Sequence, residues 1–140
     1  MSGGAGWELG EDEARDALAL PAQGRYTLFL QLACDWEEAW GLRNPDGWVV
    51  ASGPEGDSFP LWPHPHLAQA CARGPWEDAA PAAIPLDELL DDLLPLLAED
   101  HVKVAAFPTP DGESWVVAPD ELRRGLEAEL ALGQSGEESP

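Results

Sequence analysis

Basic residues are scarce in this chain. Its 140 residues include 7 Lys and Arg against 27 Asp and Glu, a formal net charge of −20. Such a surface repels phosphate backbones and anionic lipid heads, which argues against unaided binding to nucleic acid or to a membrane. Long apolar runs are missing as well. None approaches the roughly 18 residues that a membrane-spanning helix requires. Cysteine is limited to Cys34 and Cys71. No CxxC pattern joins them, so there is no redox motif. The opening "MSGGAGWELGEDEARD" has neither the basic n-region nor the apolar h-region of a secretory signal. The expectation is a cytoplasmic protein with both thiols reduced.

Catalytic patterns are absent too. There is no HxxxH, HExxH or Asp-x-Asp-x-Asp calcium loop, and Ser52, Ser58 and Ser114 lack a G-x-S-x-G context. Paired carboxylates occur at Glu37–Glu38, Asp91–Asp92, Glu99–Asp100 and Asp120–Glu121. They lie in polar runs, not in the shared desolvated cleft that carboxylate catalysis needs. These absences point away from an enzyme and imply no cofactor and no metal.

What is present suits one domain with one core, since 44% of the residues are hydrophobic. Residues 1–10 read as a flexible start, 11–132 as a single domain and 133–140 as a disordered acidic tail. "GEDEARDALALP" predicts a short helix ended by Pro21. In "AQGRYTLFLQLACDW", Tyr26, Phe29, Leu30 and Ala33 follow helical spacing, with a strand at "YTLFLQL" as the alternative. "EAWGLRNPDGWVVAS" predicts a hairpin. Pro45 and Gly47 make its turn, and Trp40 and Trp48 sit on its two arms as an aromatic cross-strand pair. "GPEGD" is a second turn, and "SFPLWP" would complete a three-stranded antiparallel meander.

Further on, "HPHLAQACARG" reads as a helix from Pro65, capped near Gly74. "PWEDAAPAAIP" reads as a proline-rich connection. "LDELLDDLLPLLAED" predicts a helix with Leu89, Leu90, Leu93, Leu94 and Leu97 on one stripe, Asp87 as N-cap and a kink at Pro95. "VKVAAFPT" and "ESWVVAP" predict a second hairpin, and "PDELRRGLEAELAL" a closing helix. The fold class is α+β: a small antiparallel or mixed sheet with helices packed against it and helices at both ends.

Two features stand out against this background. "FPLWPHPHLAQACA" places Trp62, His64, His66 and Cys71 in one short stretch. Zinc needs three or four converging ligands, and here the remaining ligands are missing. Pro63 and Pro65 and the helical face of Leu67, Ala70 and Cys71 make it a strand-turn-helix junction, with neutral histidines expected at the helix N-terminus. A small enzyme or metal- or ligand-binding domain centred on Trp62, His64 and His66 is the alternative. The second feature is seven tryptophans. Aromatic anchors with acidic steering suit a protein-binding face. Trp76, Glu77, Asp78, Asp91 and Asp92 are the candidate contacts for a basic or cationic protein partner.

The segments "LALPAQGRYTLFLQLACDWEEAWGL", "DGW", "PLWPHPHLAQACA", "IPLDELLDDLLPLLAEDHVKVAAFPTPDG" and "VVAPDELRRGLEAEL" occur in that order. Together they resemble a bacterial family catalogued as domain of unknown function 2750, from about Leu18 to Leu130. The resemblance implies a small acidic intracellular protein and carries no catalytic residue. Trp40, Gly47, Trp48, Trp62, Pro63 and His64 match its pattern as marks of the fold. The reading that follows is a non-catalytic acidic binding module, in the manner of immunity or inhibitor proteins.

Overall fold

The computed structural model describes residues 11–53, 56–109 and 114–138. The start read as flexible, with Trp7, and positions 139 and 140 lie outside the described residues. Two helices come first, α1 (Glu11–Ala19) and α2 (Ala22–Trp36), separated at Pro21. The helical spacing of Phe29 and Ala33 is thus followed, and both are buried. Glu37 ends α2 in a left-handed conformation (φ 57°) and donates its amide to the Ala33 carbonyl. From there the chain enters β1 (Glu38–Asn44), turns at Pro45–Asp46 and returns as β2 (Gly47–Trp48). Asn44 Oδ1 accepts the amides of Asp46 and Gly47, and Gly47 takes φ 132°, which L side chains rarely adopt.

The two-residue turn pairs Asn44 with Gly47 and so sets Arg43 opposite Trp48. Trp40 and Trp48 are therefore not a cross-strand pair, which corrects the sequence expectation. Trp40 instead faces Ala83 on one side and bridges Trp62 on the other.

The expected meander does not form either. β3 (Ala51–Gly53) and β4 (Gly56–Leu61) make their own antiparallel hairpin. β4 then pairs in parallel with β6 (Lys103–Ala106), which pairs antiparallel with β7 (Trp115–Val117). The result is a four-stranded sheet in the order β3-β4-β6-β7. The other sheet is β2-β1-β5, with β5 at Ala80–Pro85. β5 lies where the sequence suggested only a connection. Its prolines, Pro81 and Pro85, are an even number apart, so both missing donors fall on one side of an edge strand, where they cost no ladder bond. A similar device joins the sheets. The β3 pairing stops at Ser58, and Trp62 exchanges two 2.8 Å backbone hydrogen bonds with Trp40. Pro60 sits between these pairings, where β4 has no ladder partner on that side.

α3 (Pro65–Ala70) ends at Cys71, earlier than expected. Gly74 (φ 57°) instead opens a 3₁₀ turn, Gly74–Trp76. The leucine-rich helix runs as α4 (Leu86–Glu88), a π segment (Leu89–Leu93) and α5 (Leu94–Glu99). Its N-cap is Pro85, not Asp87, because β5 runs straight into the first turn. Asp87 Oδ1 accepts the Glu88 amide from within that turn. α6 (Pro119–Glu138) closes the chain. Its backbone stays helical to Glu138, through most of the stretch read as a tail. The helices pack on the sheets around one core that includes Phe29, Leu42, Phe59, Trp62, Leu89, Leu94, Phe107 and Leu122. The architecture is α+β, as expected.

Pro95 explains the π segment. The Leu94 amide reaches back five residues to the Leu89 carbonyl. The next bond in that pattern would run from residue 95 to Leu90, and proline has no amide to give. Arg123 of α6 supplies the missing donor through its guanidinium. Its ion pair with Glu127, at 3.5 Å along the helix surface, adds little. Arg123→Ala is expected to lower stability by about 1–3 kcal/mol, the cost of leaving a charge-bonded carbonyl without a donor. Pro95→Ala restores an amide and should recover most of that loss in the double variant. Urea unfolding of both variants checks this, and additive losses would contradict the pairing.

Candidate functional site

Two places on this fold concentrate unusual residues. One is the corner where β4 meets α3. Trp62 is fully buried, and Pro63 and His64 beside it are buried as well. Trp62 Nε1–H donates to the Pro108 carbonyl at 2.9 Å, and the Cys71 thiol donates to the same oxygen at 3.4 Å. Arg25 of α2, also fully buried, donates Nε–H to the Phe107 carbonyl at 3.0 Å and Nη1–H to the Leu20 carbonyl at 2.6 Å. Phe107 is held at φ 53°, a costly conformation for a side chain of its size. Three buried donors from separate elements thus pin the Phe107–Pro108 backbone.

His64 is the N-cap of α3, and its Nδ1 accepts the His66 amide at 3.1 Å. An accepting Nδ1 carries no proton, so this nitrogen is committed to the helix. His66 is exposed and sets its ring edge-on to His64, centroids 4.9 Å apart. Among the described residues no three His, Cys, Asp or Glu side chains come together to hold a metal ion. Apart from the exposed His66 the corner is turned inward, and its buried donors hold the Phe107–Pro108 backbone.

Burial pushes the Cys71 thiol up to about 11, against smaller lowering by the Trp62 hydrogen bond and the Arg73 charge. Burial also raises Cys34 to about 11, helped by Glu129 and Asp35. Neither thiol is a ready nucleophile at neutral pH. In the unfolded chain both ionise near the ordinary value, so between these two values the native state holds protons that the unfolded state has lost. Stability is expected to fall as pH rises from about 9 towards 11 and to be insensitive to these groups below that window. Denaturation midpoints from pH 7 to 11 check this. Replacing both cysteines by Ala should flatten the slope.

The second place is a groove of about 190 Å³ between the sheet β2-β1-β5 and the leucine-rich helix. Trp48, Ala83, Ile84, Leu93 and Leu96 give it an apolar lining, and Glu88 and Asp92 add carboxylates. The positions follow from the elements. β5 delivers Ala83 and Ile84, and the π segment carries Asp92 and Leu93. Trp48 lies across β1 because residue 41 is glycine. A Cβ there would come within 2.9 Å of the indole. Phe59 supports the ring at 5.7 Å between centroids, and the Arg43 guanidinium carbon lies 5.2 Å from the ring centre. Glu88 and Asp92 are exposed, and Leu96 is 51% exposed. The groove is open to solvent and mostly apolar in its lining, with two acidic residues among those that border it.

Of the five contact candidates, Asp92 lines this groove. Asp91 is exposed outside the lining. Trp76 packs partly buried against the core, and Glu77 and Asp78 are exposed in the turn before β5. The turn meets β5 at Ala80, whereas the groove takes Ala83 and Ile84, about 10 Å or more along the strand. The turn and the groove are thus separate. Glu88 and Leu96 were not singled out from sequence. Glu88 is four residues before Asp92, a spacing that puts both on one side of a helix and was available as a signal.

The family model described as "Protein of unknown function (DUF2750)" matches residues 26–126, within the span of the resemblance seen in the sequence. No curated protein and no solved structure is matched by the chain. Among the described residues no helix is long and apolar enough to cross a membrane.

Proposed function

Given that the chain belongs to the DUF2750 family of proteins of unknown function, we propose that it is a non-catalytic module that binds a basic protein surface. The observation that supports this reading is the groove. Its apolar lining residues, Trp48 and Leu96 among them, are bordered by the acidic residues Glu88 and Asp92, on a chain with a formal charge of −20. Apolar contact supplies affinity once water is expelled, while the long-range field accelerates encounter with a positive partner. An inhibitor- or immunity-like role, in which an acidic protein covers a positively charged site, is the specific form we favour. Gentle purification of the tagged protein from its own cell, followed by native mass spectrometry, tests the proposal. The expected result is a complex with a basic protein that weakens steeply as salt is raised. A free monomer at every salt concentration contradicts it.

A further inference from the structure

Resting on the binding-module reading, we infer that the groove takes a single arginine side chain of the partner as its anchor. Size is the first argument. About 190 Å³ falls below the roughly 300–1,000 Å³ typical of cofactor and small-molecule sites, whereas one long side chain needs no more than a slot. Lining is the second. The methylenes of such a side chain match Ala83, Ile84, Leu93 and Leu96, while its head meets Glu88 and Asp92. Both residues are exposed, so they are within reach of a partner's side chain at the protein surface.

The choice of arginine over lysine rests on Trp48. An indole face attracts a planar guanidinium by stacking and by its quadrupole, and a carboxylate can take the same group in a two-pronged hydrogen bond. Arg43 already sets its guanidinium carbon 5.2 Å from the Trp48 ring centre, so the ring holds such a group within the protein, and the partner's arginine takes the place of this exposed side chain. A compact ammonium exploits neither geometry as well.

The test uses the whole protein, labelled with ¹⁵N, and three peptides: acetyl-Ala-Leu-Arg-Leu-Ala-amide and its versions with lysine or citrulline at the centre. Citrulline keeps the shape and removes the charge. The Trp48 indole signal should move saturably with the arginine peptide, with an apparent Kd at least about tenfold lower than for citrulline and clearly lower than for lysine. Glu88→Gln with Asp92→Asn should abolish that difference, and exposed Asp57→Asn should not. Trp48→Leu should remove the arginine-over-lysine preference. Should that variant fold poorly, Leu96→Ser at a half-exposed position should weaken the arginine peptide instead. Equal response to citrulline or lysine, or shifts confined to residues outside the groove, overturns the inference. The two proposals fail separately. A salt-labile natural complex that survives Glu88→Gln with Asp92→Asn keeps the binding module and removes the arginine anchor from this groove. Absence of any salt-labile complex removes the module, while the peptide titration still decides the anchor.

Discussion

Replacing Trp62 by Ala is expected to destabilise the protein by about 3–5 kcal/mol, a large part of what a domain of this size possesses. The ring is fully buried in the core, so its removal forfeits packing and leaves a cavity there. The loss reaches further than packing. The indole N–H is one of two donors on the Pro108 carbonyl, and the backbone of Trp62 is the bridge by which β4 reaches β1. Trp62→Phe separates the effects, because most of the apolar volume stays and the donor goes. It should cost about 1–3 kcal/mol. Guanidinium unfolding of both variants gives the numbers. A loss under about 1 kcal/mol for Trp62→Ala would show that the corner is not part of the core.

The corner also shows how far the sequence could be read. The run from Phe59 to Ala72 gave a strand, a turn and a helix starting at Pro65, and these are present. Helical spacing at Phe29 and Ala33 and turn chemistry at "NPDG" were equally direct, because each depends on neighbours along the chain. Strand partnership was not legible in the same way. β5 has a single strand-favouring residue, Ile84, among alanines and prolines, which carry little strand preference. It exists because β1 offers six positions of pairing and an edge that tolerates missing amides. The parallel pairing of β4 with β6 joins segments about 45 residues apart, and no local pattern encodes it.

The candidate site divides along the same line. Asp92 was visible as an acid on a leucine-rich helix. Its place beside Trp48 depends on the π segment, on Gly41 and on β5, three features that combine only in three dimensions. Arg25 was one basic residue among seven, and its burial against the Phe107 carbonyl depends on a contact 82 positions away.

The second large effect concerns binding. Glu88→Lys together with Asp92→Lys is expected to weaken the complex with the co-purifying basic protein by about 100-fold, or about 2.7 kcal/mol. Both carboxylates are exposed, so folding stability should change by less than about 0.5 kcal/mol. Like charges remain four residues apart after the exchange, and the local repulsion is therefore similar in both proteins. Reversing Glu77 and Asp78, in the separate turn before β5, should slow association modestly through the overall field and leave dissociation nearly unchanged.

Calorimetric titration of that partner into the parent protein and into the Glu88→Lys/Asp92→Lys variant, at one fixed ionic strength, tests the central claim most directly. The predicted result is tight binding to the parent and a loss of about two orders of magnitude in the variant. Equal affinity for the two proteins, with both folded, would contradict the groove as the binding surface.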